Sequence, residues 1–293
     1  MFDDRDYYIY DGAMGTMLQK CGLKPGERPD ILNMTAPGAV ENVHRLYVEA
    51  GSDIICTNTF GANAVALSGR GYTPGEIVGA AVAIARRACE SACGGAAKVA
   101  LDIGPIGRLL EPLGDFEVAQ AYGLFMEQAI AGEKAGADFA AIETMSDLEE
   151  LKTAILAVTE NTSLPVLATM TFDRTGRTFM GCTPEGLAEA AGRLGASAVG
   201  LNCSLEPSEM FETAQRIAKA TSLPLIIKPN AGLPDGDSGL YSIGPEEFAR
   251  QMAPFAKIGA KIFGGCCGTT PEHIRELKNT MKNLNNEKPK GET

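Results

Sequence analysis

Ala135-Gly136-Ala137-Asp138-Phe139-Ala140-Ala141-Ile142-Glu143 sets a pattern that repeats along the chain. It reads as a helix end, a turn, and a buried strand that finishes on a polar side chain. Gly136 suits a helix C-terminus, where the backbone turns to positive φ. The unbroken apolar run after it suits a strand covered on both faces, as in a parallel sheet. The pattern recurs as Ala50-Gly51-Ser52-Asp53 before Ile54–Thr57, Leu194-Gly195-Ala196-Ser197 before Ala198–Cys203, and Ile258-Gly259-Ala260-Lys261 before Ile262–Gly265.

Four more runs read as strands: Tyr8–Tyr10, Lys98–Ile103, Pro165–Phe172 and Pro224–Lys228. Helical patterns fill the gaps: Ala39–Ala50, Gly75–Ala92, Val118–Ala135, Asp147–Glu160, Pro184–Leu194, Ser208–Ala220, Gly244–Ile258 and Pro271–Asn283. Alternating strands and helices mean βαβ units and a parallel sheet. Eight units in 293 residues fit a single-domain (β/α)8 barrel of the TIM type over residues 1–284. Asp11-Gly12-Ala13-Met14-Gly15 lacks the spacing of a dinucleotide-binding turn. Residues 285–293 read as a polar tail or linker.

Composition narrows the function classes. A net charge of −11 repels a phosphate backbone, so no nucleic acid is expected as partner. No apolar run is long enough to span a bilayer, and Met1-Phe2-Asp3-Asp4-Arg5-Asp6 is polar and acidic, so a cytoplasmic protein is expected, with no membrane partner. The eight cysteines are too sparse for a disulfide scaffold, and in a reducing compartment clustered ones point to metal or catalysis.

In an α/β barrel, chemistry sits at the C-terminal ends of the strands. Those ends carry Asp11, Thr57-Asn58-Thr59, Asp102, Glu143-Thr144, Thr171, Asn202-Cys203, Asn230 and Cys266-Cys267. Cys203 closes the sixth strand, and Cys266-Cys267 the eighth. Strands six and eight are second neighbours, so three sulfurs are expected to meet over the mouth. Three thiolates suit Zn²⁺ and leave one coordination position open, the mark of a catalytic site. Two plainer readings of Cys266-Cys267 stand beside this one: small residues in a tight turn, or a vicinal disulfide. An open position on such an ion suits a substrate thiol, because zinc favours the deprotonated, nucleophilic form. The chemistry implied is attack by sulfur on an electrophilic carbon. Asp11 and Glu143 can pair with an α-ammonium, and the amides around Gly12 with the Thr59 hydroxyl can receive an α-carboxylate. The plain alternatives are a turn at Asp11-Gly12 and a solvated rim carboxylate at Glu143. His44 reads as a surface or packing residue, and His273 as part of a helix cap after Thr269-Thr270-Pro271-Glu272.

Five segments carry a resemblance: Asp11-Gly12-Ala13-Met14-Gly15-Thr16, Thr57-Asn58-Thr59-Phe60-Gly61, Gly200-Leu201-Asn202-Cys203-Ser204, Pro229-Asn230-Ala231-Gly232-Leu233-Pro234 and Gly264-Gly265-Cys266-Cys267-Gly268-Thr269. From Ile9 to Leu284 the chain resembles the homocysteine S-methyltransferase family, and within it the homocysteine-binding module of cobalamin-dependent methionine synthase. The resemblance implies zinc on Cys203, Cys266 and Cys267, homocysteine thiolate as the fourth ligand, and methionine as product. It also implies that Asn230 approaches the metal when substrate is absent. Folate-binding and cobalamin-binding modules have no counterpart here, so methylcobalamin is expected on a separate corrinoid-carrying module or protein. Three rivals stand against this: a homocysteine methyltransferase using S-methylmethionine or betaine, a barrel lyase whose Gly264-Gly265 loop binds phosphate, and a non-catalytic zinc-binding subunit.

Overall fold

The computed structural model describes residue 2 and residues 5–24, 26–235 and 241–287. Eight parallel strands run in chain order: β1 Tyr8–Ile9, β2 Ile54–Cys56, β3 Lys98–Ile103, β4 Phe139–Met145, β5 Val166–Met170, β6 Ala198–Asn202, β7 Leu225–Lys228 and β8 Ala260–Phe263. From β2 to β8 each strand pairs with the next, and β1 pairs with β8. The remaining seam, between β1 and β2, is closed by the bridge Tyr10–Ile54 and by Asp53, whose carboxylate accepts from the Ile9 amide at 2.8 Å. The fold is a single (β/α)8 TIM barrel.

The expected helices form, as α3 Pro37–Ala50, α4 Pro74–Cys93, α5 Val118–Ala135, α6 Leu148–Asn161, α7 Pro184–Arg193, α8 Pro207–Ala220, α9 Pro245–Met252 and α10 Pro271–Glu287. Two short ones precede them in the loop after β1: α1 Gly15–Lys20 and α2 Leu32–Thr35. The segment expected as one helix over 244–258 is divided, because α9 stops at Met252 and Ala253–Ile258 continues as a 3-10 helix. Pro254 lies just past the break and cannot supply the amide that an α-helix needs there. α10 continues to Glu287, and residues 288–293 of the expected tail lie outside the described residues.

Strand alternation sorts the side chains. Ile9, Ile55, Val99, Leu101, Ile142 and Ile227 pack outward in the large core shared with the helices. Tyr8, Tyr10, Ile54, Cys56, Ala100, Phe139, Ala141, Ile226 and Ile262 form a second cluster inside the barrel. Phe2 belongs to it and closes the bottom, stacked on Phe139 and edge-on to Tyr8. Two residues further along each strand the same inward register holds Asp102 after Ala100, Glu143 after Ala141, and Lys228 after Ile226. The upper interior layer is therefore charged where a barrel usually has branched apolar side chains.

Candidate active site

The mouth is a cavity of about 380 Å³, within the usual range for small-molecule sites. Its lining includes Asp11, Gly12, Cys56, Asp102, Glu143, Lys228, Tyr241 and the three cysteines expected to converge.

Cys203 and Ser204 follow β6 with φ of 62° and 58°. This left-handed turn is unusual for side-chain-bearing residues. It is held by the Cys203 amide on Lys228 O (3.0 Å) and the Leu205 amide on Cys203 O (2.7 Å). Cys266 and Cys267 follow β8 across Gly264-Gly265. The amides of Gly264, Gly265 and Cys266 donate to the carbonyls of Ile227, Asp11 and Pro229, which fixes the turn to β7 and to the end of β1 at once. Gly265 has no room for a β-carbon, which would lie 2.4 Å from the Thr269 hydroxyl oxygen. Thr269 in turn donates to Cys266 O at 2.7 Å.

The sulfurs of Cys203, Cys266 and Cys267 all lie within 4.8 Å of one another, and Cys203 and Cys267 are 3.9 Å apart. All three are free thiols, so no vicinal disulfide is present. A tetrahedral ion with Zn–S near 2.3 Å places its sulfurs about 3.8 Å apart. The observed spacing and the soft donor set therefore fit zinc. Electrostatically the three share protons unevenly. Hydrogen bonds from Cys266 and Cys267 pull Cys203 down to about 3, while the Cys203 thiolate pushes Cys267 up to about 12 and Cys266 well above its usual value. The cluster therefore favours ionisation at Cys203 over its two neighbours.

The other expected residues divide by what they touch. Asp11 is buried, and one carboxylate oxygen accepts from the Cys56 amide at 2.7 Å while the other has no hydrogen-bond partner. Burial raises its pKa to about 7. Gly12 is pressed against Thr269 and Tyr47, where a β-carbon would lie 2.6 Å and 2.9 Å from their side chains. Glu143 is engaged, with Lys228 Nζ at 2.6 Å. Asn230 has a buried side-chain oxygen without a partner, and its side chain hydrogen-bonds Cys203. Thr59 is set apart: it is fully buried, its hydroxyl donates to Asp102 O at 2.7 Å, and it pairs with Thr57. It supports the end of β3 and does not line the cavity.

Two participants, Lys228 and Tyr241, escaped the sequence reading as site residues, and a third, Asn202, stood among the polar strand ends without an assigned role. Lys228 was read only as a strand end; its inward register two residues after Ile226 was the available signal. Tyr241 lines the cavity and hydrogen-bonds Cys267; burial, then Cys267, raises its pKa to about 12. A lone tyrosine in a loop carries no sequence signal. Asn202 binds Thr169, the Thr144 amide and the Thr144 hydroxyl, each at 2.8 Å, and donates to Cys266 Sγ at 3.9 Å. It anchors Thr144, whose φ is 62°. The histidines stay out of the chemistry. His44 is a buried packing residue, held neutral down to about 4 by burial. His273 bonds the Thr270 amide and Ile243 O.

The profile of a family described as homocysteine S-methyltransferase matches residues 8–281. Curated relatives include the methionine synthases of Mycobacterium tuberculosis, 37% identical over 94% of this chain, and Mycobacterium leprae, 36% identical over 97%. The chain spans about a quarter of the length of each, with 25% of the relative covered. Among solved structures, the homocysteine methyltransferase MmuM of Escherichia coli in its metallated form has a TM-score of 0.82 at 24% identity, covering 94% of this chain and 97% of that one. The oxidized form has the same TM-score at 23% identity, over 95% and 97%. These structures share the fold.

Proposed function

The chain belongs to the homocysteine S-methyltransferase family, and from that premise we propose that it methylates the thiol of homocysteine to give methionine, with zinc held by Cys203, Cys266 and Cys267. The observation that carries the reading is the convergence of three free sulfurs within 4.8 Å at the rim of an acidic cavity. When bound, zinc favours the thiolate form of a substrate thiol, which is the nucleophile.

The protein's own groups hold the rest of the substrate. Asp11 offers its unpartnered oxygen to the α-ammonium, with Glu143 beside it. Amides around Gly12, other than that of Ala13, which donates to the Thr269 hydroxyl, receive the α-carboxylate. Asn230 orients Cys203 and Tyr241 orients Cys267, each by a side-chain hydrogen bond. The substrate sulfur then attacks the methyl carbon, and the methyl bond to the donor breaks as the new C–S bond forms. Methylcobalamin on a separate corrinoid-carrying module or protein is the donor we favour, because the mycobacterial relatives are named methionine synthases and this chain covers only 25% of each. Offering methylcobalamin, S-methylmethionine and betaine separately, each with homocysteine, decides among donors. A cytoplasmic, reducing setting keeps the cysteines as thiols; among the described residues no helix is long and apolar enough to cross a membrane.

A phosphate-binding lyase fits less well. The Gly264–Cys266 amides that would cradle phosphate are spent on backbone carbonyls. Lys228, ion-paired and protonated, is a poor Schiff-base nucleophile. The testing experiment is Cys266→Ala. It should lose bound zinc and homocysteine-dependent turnover together, beyond the roughly 10–100-fold typical of changes outside the ligand set. An active, zinc-free Cys266→Ala protein overturns the proposal.

A further inference from the structure

Beside the three cysteines lies a second group of ligand-type atoms, of which the proposed reaction uses only Glu143. Cys56, Asp102 and Glu143 each place one such atom within 4.8 Å of the others. Cys56 and Asp102 are buried, and Glu143 is only 13% exposed. One thiol and two carboxylates at this spacing are a competent donor set for a divalent ion. Burying two carboxylates together without a compensating cation is strongly unfavourable.

The compensating cation is Lys228. Its side chain is 5% exposed and rises from the inward register of β7 into this group. An ammonium has three N–H donors, and the surroundings supply three acceptors. Glu143 Oε2 is at 2.6 Å, Cys56 Sγ at 3.9 Å, and the centroid of the Tyr10 ring at 4.1 Å. A cation over a tyrosine face gains further attraction from the ring quadrupole. Burial opposes the charge on Lys228, but Cys56, Glu143 and Asp11 outweigh it and hold the pKa well above the usual lysine value. Asp102 Oδ1 meanwhile has no hydrogen-bond partner, so the group retains an acceptor that a coordinating ion would use.

We propose that Lys228 is a resident cation that occupies the Cys56–Asp102–Glu143 group and keeps a second metal ion out of the upper barrel interior. That part stands on these side chains alone; the corollary, that metal is thereby confined to Cys203, Cys266 and Cys267, rests on the function proposed above. Without the lysine charge the group is an acidic, buried site for zinc, and binding would release the Cys56 proton to solvent as the S–Zn bond forms.

The test is a zinc count on the full chain, reduced, stripped with chelator, reloaded with zinc and freed of excess. Lys228→Gln keeps a donor to Glu143 but removes the charge, and should carry about one more zinc per chain than wild type. Lys228→Arg should match wild type. Adding Cys56→Ser to Lys228→Gln should return the count to the wild-type value. Lys228→Ala is measured alongside; where either variant is unfolded without metal, restoration of its circular dichroism by zinc is the readout. If neither variant gains zinc or zinc-dependent structure, or if the extra zinc survives Cys56→Ser, the proposal is overturned. Because the gain is read against wild type, it is separate from the wild-type count, which tests the three-cysteine site.

Discussion

Glu150 shows how a buried carboxyl outside the site shapes stability. It lies on α6 and accepts the Ile106 amide at 2.7 Å, bracing the loop that leaves β3. Burial raises its pKa from 4.5 to about 7. The folded value is above the unfolded one, so the folded state holds the proton more tightly. Its contribution is complete below pH 4.5 and is lost as pH rises toward 7. Glu150→Gln keeps an acceptor for Ile106 without the charge. Thermal or urea unfolding should find the variant close to wild type at pH 5 and more stable at pH 8, by on the order of 2 kcal/mol. A difference that does not grow with pH would show that Glu150 ionises freely in the folded state. At this scale the sequence was legible where side chains cluster by spacing, as at Cys266-Cys267. It was silent where a single residue is defined by its surroundings: nothing near Glu150, Tyr241 or Thr59 announces burial or an engaged hydroxyl.

Among the elements, α4 has the most explicit ends. Thr73 accepts the Glu76 amide at 3.3 Å, Glu76 accepts the Thr73 amide at 2.8 Å, Pro74 starts the helix, and Gly94 ends it in the left-handed conformation. Thr73→Ala removes one half of this box and should cost about 1 kcal/mol, seen as a fall in Tm of about 2 °C; no change in Tm would mean water replaces the cap without loss. Signals of this kind made the eight main helices readable in advance. α1 and α2 were not, because six and four residues are too short to display a period. The strands were readable as buried runs, but reading only their last residues hid the inward register. Asp102, Glu143 and Lys228 each stand two residues beyond an interior side chain, so alternation carried the charged layer all along. Gly200, also inward, lets β6 approach β7 so closely that a β-carbon would lie 1.9 Å from Ile226 O.

For the whole molecule, the exposed apolar side chains are unevenly placed. Among the described residues, the large ones are Met34, Phe60, Val65, Leu109, Leu113, Val118, Ile130, Phe179 and Leu233. All but Ile130 lie on loops or helix starts that follow the C-terminal ends of strands, the same end as the cavity. Phe179 is 88% exposed, and with Leu233 it lines a shallow hollow that includes Ser204, next to Cys203. Apolar surface gathered on one end of a protein marks a place of contact. If the methyl group arrives on a separate module or protein, as proposed, this is the end it must approach, and the rim side chains would be covered during transfer. Phe179→Ser with Leu233→Ser should then raise KM for a protein-borne methyl donor by about tenfold, as expected from losing one to two kcal/mol of apolar contact. The same variant should keep its zinc and its affinity for homocysteine, since neither residue lines the cavity. Transfer from free methylcobalamin should change much less. Equal losses with free and protein-borne donor would place Phe179 and Leu233 in the architecture of the mouth and leave the carrier to dock elsewhere.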